Sequence, residues 1–112
     1  MVEGLWVVQY EGIQGSGGTV LVFVDGQILG GDNGFTIIGK YEVTDQNLTA
    51  RVKVQNYLKT VPSFFDFKGD YEVKVRGIIE KNIIRAKAEI VDKKISGLVL
   101  KMTRVEKLQP ST

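Results

Sequence analysis

Histidine and cysteine are both absent from this chain of 112 residues. Without cysteine there are no disulfides, no thiolate metal sites and no cysteine nucleophile. Without histidine there is no Ser-His-Asp or Cys-His arrangement and no imidazole-bound zinc or iron. Catalysis would have to run on carboxylates, lysine or tyrosine alone. No convergent acid–base pair is visible, so no catalytic residue, metal site or cofactor is expected. Long hydrophobic runs are missing too: none approaches the ~20 residues of a membrane helix. The opening Met1-Val2-Glu3-Gly4 lacks the basic and apolar stretches of a signal peptide. A cytoplasmic protein with no membrane partner is the expectation.

What is present is a rhythm of period two. In residues 4–11, Trp6, Val8 and Tyr10 share one parity and Gln9 and Glu11 the other, the pattern of a strand with an aromatic face turned inward. Trp6 is the sole tryptophan. Residues 12–18 are glycine-rich and read as a flexible connection. They lack the lysine of a phosphate loop, and Val20 stands where a dinucleotide fingerprint needs its third glycine. Strands are expected over 19–24, 27–31, 35–43 and 48–57, with Asp25-Gly26 a strong hairpin turn and Asp32-Asn33-Gly34 the next. Residues 58–68 break the alternation and hold Phe64, Phe65 and Phe67; one short helical turn is expected near 61–66. Three further alternating segments follow, through Tyr71 and Val75, Ile84 and Ile90, and Leu98 and Met102.

About eight consecutive strands with short connections point to an all-β chain: a single small antiparallel up-and-down barrel over residues 1–108, with 109–112 a disordered tail. Closure removes the exposed edges that such a meander would otherwise carry. A barrel of about eight strands is either filled by side chains or holds one small ligand.

The Gly4-Leu5-Trp6 opening, with Arg104 near the other end of the chain, resembles lipocalin-like barrels, in which such a Trp plugs one end under an Arg. Ile28-Leu29-Gly30-Gly31-Asp32, Asn56-Tyr57 and Val61-Pro62-Ser63, in this order and spacing, resemble the GrlR-like family over most of the chain. The resemblance implies a cytosolic, dimeric negative regulator of type III secretion loci that binds and occludes a transcriptional activator. The best-known member carries several acidic residues in the turn matching Thr44-Asp45-Gln46-Asn47. Here only Asp45 is acidic.

Candidate sites follow. Gly30, Gly31 and Asp32 are either a family contact or a backbone kink followed by an Asx-type turn. Trp6 and Arg104, with Phe35 and Tyr71, form either a barrel plug or the lining of a pocket. Small inward residues such as Ala50, Ala88 and Gly39 either leave a cavity for a small hydrophobic ligand or let larger neighbours fill the taper. Leu5, Val7, Val20 and Val22 put apolar side chains on the outward parity, which suggests a homodimer interface unless residues 58–68 cover them. Up to Thr44 the only cation is Lys40, against Glu3, Glu11, Asp25, Asp32 and Glu42. Beyond it, Arg51, Lys53, Lys74, Arg76, Arg85, Lys87 and Lys101 all take the outward parity. They are either a solvated, solubilising surface with edge-protecting lysines or, with Asp45, the residues that bind a partner, an acidic protein rather than DNA because no recognition helix is available for a groove.

Overall fold

The computed structural model describes residues 2–12, 15–58, 70–91 and 95–109. They form eight strands: β1 (Gly4–Gly12), β2 (Gly15–Val24), β3 (Gln27–Asp32), β4 (Phe35–Thr44), β5 (Asn47–Asn56), β6 (Tyr71–Glu80), β7 (Ile83–Ile90) and β8 (Ile95–Lys107). Each pairs antiparallel with the next, and β8 returns to β1, from Glu11 opposite Val99 to Gly4 opposite Lys107, closing the barrel. The all-β up-and-down barrel expected from the alternation is the observed fold. The turn near 61–66, the aromatic cover from Phe64, Phe65 and Phe67, and residues 110–112 of the tail lie outside the described residues.

One boundary differs from the sequence reading by more than a residue. The connection expected over 12–18 is shorter, because Gly15, Ser16, Gly17 and Gly18 belong to β2 and face Gly12, Glu11, Tyr10 and Gln9 of β1. Glycines give no alternation to read, yet their backbone pairs like any other. Gly17 has a packing reason as well: a Cβ there would lie 2.7 Å from the Tyr10 ring.

The up-and-down order gives the barrel two unlike ends. At one, two-residue turns join β2 to β3, β4 to β5 and β6 to β7. Asp25 and Gly26 have φ of 47° and 78°, the pair of positive values that a type I′ hairpin requires. Trp6 sits at this end, fully buried. Its indole Nε1 donates to the Val2 carbonyl at 2.8 Å, so the ring is buried with its polar handle satisfied. Phe23 lies 5.7 Å from it and Tyr41 lies 5.0 Å from Phe23, both tilted. Arg104 pairs with Trp6 across the closing seam and holds its guanidinium carbon 5.4 Å from the Trp6 ring centroid. The guanidinium also donates to Asn82 Oδ1 at 2.9 Å and to the Glu3 carbonyl at 3.3 Å. A bulge between Leu5 and Trp6 gives β8 one extra residue, Val105. It keeps Arg104 over the ring while the strands bend to close.

Trp6 therefore joins the N-terminal segment, the aromatic floor and the closing strand. Trp6→Ala should cost about 3–5 kcal/mol, a large share of the stability of a small domain. Urea unfolding followed by circular dichroism measures it; a midpoint within experimental error of wild type would show that the plug is dispensable.

Candidate functional site

Above the plug the interior is not filled. A cavity of about 410 Å³ runs toward the opposite end, walled by apolar side chains that include Leu21, Ile37, Val52, Val75 and Leu100. Its size follows from the small residues at mid-height. Ala50 of β5 and Ala88 of β7 line it, and both face Val75 of β6. Gly39 faces Val52, and a Cβ on it would lie 2.2 Å from the Arg51 carbonyl oxygen. That position cannot carry a side chain to narrow the space without moving β5.

The mouth is polar. Tyr10, Thr19, Asp32, Asn33, Phe35 and Tyr71 line it. Asp32 is the one charged side chain among the described residues lining the cavity. Gly31 places it there: φ is +155°, and a Cβ would lie 2.4 Å from the Phe35 carbonyl oxygen, so only glycine lets β3 approach β4 this closely. The turn after Asp32 is pinned by Tyr57, the residue that follows β5. The Gly34 N–H donates to the Tyr57 hydroxyl at 3.1 Å, that hydroxyl donates to the Asp32 carbonyl at 3.3 Å, and the Tyr57 N–H donates to the Gly34 carbonyl at 2.9 Å. Partial desolvation at the rim raises the carboxyl of Asp32, itself an exposed residue, above its ordinary value. Burial and then the Asp32 charge push the Tyr10 phenol up. Tyr71 rises further, from burial first and then from Tyr10 and Asp32. The three groups share one electrostatic neighbourhood at the rim.

The four residues expected as plug or pocket divide between these functions. Trp6 and Arg104 close one end, and Phe35 and Tyr71 line the cavity at the other. Inward parity is visible in a sequence; height in the barrel depends on register. Gly30, Gly31 and Asp32 form the end of β3 at the mouth. Tyr10, Thr19, Asn33 and Tyr57 were not singled out from the sequence as site residues. The alternation of β1 puts Tyr10 inside, whereas Tyr57 enters the sequence reading only within the Asn56-Tyr57 segment of the resemblance, with no role of its own.

Outside, the barrel carries two different surfaces. Across β1 to β4, Leu5 faces Val22, Val22 faces Leu29 and Leu29 faces Ile38, one unbroken apolar row. Val7 and Val20 face each other beside it. Leu29 and Ile38 are 40% and 51% exposed. These two extend the row foreseen from Leu5, Val7, Val20 and Val22. Across β5 to β8, Arg51 faces Lys74, Arg76 faces Lys87 and Arg85 faces Lys101. Lys53 faces Glu72, which also pairs with Arg51. Asp45 stands apart in the β4–β5 turn at the plugged end, with φ of 57°.

Compared with protein-family models and with curated proteins, the chain matches none. The described residues contain no cluster of His, Cys, Asp or Glu able to hold a metal, and no helix long and apolar enough to cross a membrane.

The raised Asp32 value has a sign. The native state holds this proton more tightly than the unfolded chain, so the group's contribution is full below the ordinary carboxylate value and is lost as pH rises through the raised one. Asp32→Asn should melt higher than wild type near pH 7 and equal to it near about pH 3. Thermal melts across that range check this; an Asn variant that is less stable at neutral pH would mean that the carboxylate holds the mouth together.

Proposed function

We propose that this chain is a non-catalytic binding protein whose barrel interior takes a small hydrophobic ligand with a polar head at the mouth. The cavity carries this reading. About 410 Å³ lies in the range of small-molecule sites, and its apolar wall with a few convergent polar groups has their composition. A void of this size costs stability in every state that leaves it empty. Asp32, Tyr10 and Tyr71 offer the head group one carboxylate and two phenols. The absence of histidine and cysteine from the sequence supports a role without catalysis.

A neutral fluorescent probe, N-phenyl-1-naphthylamine, should bind saturably and at one site. Ala50→Phe fills the cavity from β5 and should lower the affinity at least about tenfold, a loss of ~1.4 kcal/mol, with the circular dichroism spectrum unchanged. Native mass spectrometry of freshly purified protein reads the natural occupant. Probe binding that is unaffected by the filled cavity would place the probe elsewhere and remove the reading.

The outer apolar row favours a second reading, in which the chain is a regulator that self-associates and binds a protein partner, as the resemblance to the GrlR-like family implies. In that family the partner is a transcriptional activator; direct binding to DNA is not part of this reading. In a twofold dimer the same patch of both copies meets itself, and an exposed apolar row offers such a patch. Leu29→Lys charges the middle of it, and an interface must strip that charge of water. Sedimentation velocity should show a dimer for wild type and a folded monomer for Leu29→Lys. A wild type that stays monomeric at high micromolar concentration would exclude the interface.

A further inference from the structure

The outer face of β5 to β8 holds a groove of about 490 Å³, separate from the interior cavity. Its rails are two rows of directly paired residues. One runs Thr49, Arg76, Lys87, Val99; the other runs Asn47, Ile78, Arg85, Lys101. Neighbouring strands lie ~4.8 Å apart and the rails are two residues apart, ~7 Å. Four cations therefore share the part of this patch on β6 to β8, with two exposed apolar residues, Ile78 of β6 and Val99 of β8, diagonally across it.

This arrangement works against the barrel's own stability. Arg76 faces Lys87 and Arg85 faces Lys101, and like charges directly opposite in a sheet are destabilising. No carboxylate occupies either rail; the acids of this wall lie outside them, Glu80 two residues beyond Ile78 on β6, Glu89 opposite Lys74 and Glu72 opposite Lys53. Edge protection does not account for the cations, since a closed barrel has no edge to protect. Solubility does not require same-sign charges placed opposite one another.

We propose that this groove is a docking site for an acidic protein segment, one that sets carboxylates against Arg76, Arg85, Lys87 and Lys101 and an apolar side chain against Ile78 or Val99. Arginine takes a carboxylate with two parallel hydrogen bonds, and two of the four cations are arginines. Single-stranded nucleic acid fits less well. Its binding sites add aromatic platforms for the bases, whereas the groove's described lining contains no aromatic.

The test uses the full chain and a fluorescein-labelled peptide of alternating glutamate and leucine, with an alternating lysine and leucine peptide as control, followed by anisotropy. The acidic peptide should bind and the basic one should not. Affinity should fall several-fold between low salt and about 0.15 M, where screening shortens the reach of the charges. The double variant Lys87→Glu, Lys101→Glu should lose about tenfold or more in affinity. It should also melt about 2 °C or more above wild type, because each reversal turns an opposed like-charge pair into an attractive one. That rise separates lost recognition from lost folding. Lys40→Glu, outside the rails, should leave binding within about twofold. No binding of the acidic peptide, equal binding by the double variant, or tighter binding of an oligothymidylate of similar charge would each overturn the proposal.

Discussion

Every other feature of this molecule depends on the pairing of β8 with β1. That seam turns a meander into a tube, satisfies the backbone groups of both end strands, and sets Arg104 against Trp6. Closure also fixes the radius. Once strand number is set, the interior has a definite width, and the side chains projecting into it fill that width or leave space. Near the closed end, Trp6, Phe23, Ile28 and Tyr41 fill it. At mid-height Ala50, Ala88 and Gly39 do not, and the cavity is what remains.

The sequence carries the fold more openly than the site. Alternation through Leu48, Val52 and Val54, and again through Ile84, Ala86, Ala88 and Ile90, sorts inside from outside, and the structure buries each of these. Asp25-Gly26 announces its turn because few other dipeptides tolerate two positive φ values. The limits of that reading are physical. Gly15 to Gly18 carry no side-chain pattern, so their place in β2 was hidden. The mouth was hidden for another reason: Asp32, Phe35, Tyr10 and Tyr71 come from four strands, and the stagger that brings them to one height is a property of the closed sheet. Cross-strand partners outside are hidden in the same way. Parity says that Arg76 and Lys87 both point outward; only register says that they face each other.

A barrel offers three chemically independent regions on one small frame. The waist of β1 to β4 is apolar outside, the wall of β5 to β8 is cationic, and the interior is apolar with an acidic rim. Their separation follows from geometry, since the sheet lies between inside and outside and its curvature turns one outer wall away from the other. Changing the exterior of β7 leaves Ala86 and Ala88 in place within, because successive residues of a strand point to opposite faces. The fold thus permits its ligand chemistry and its surface chemistry to vary separately.

The closing seam has a consequence in time. The strands that complete the barrel lie at opposite ends of the described chain, which gives the fold a high contact order and a slow final step. A ribosome adds roughly 5–20 residues per second, so β1 waits on the order of several seconds before β8 exists to receive it. During that interval its outward Leu5 and Val7, its inward Trp6 and one full set of backbone donors and acceptors face whatever the growing chain meets. For this protein the most aggregation-prone moment comes before the native state forms, and a chaperone that covers β1 would protect the strand on which the finished structure closes.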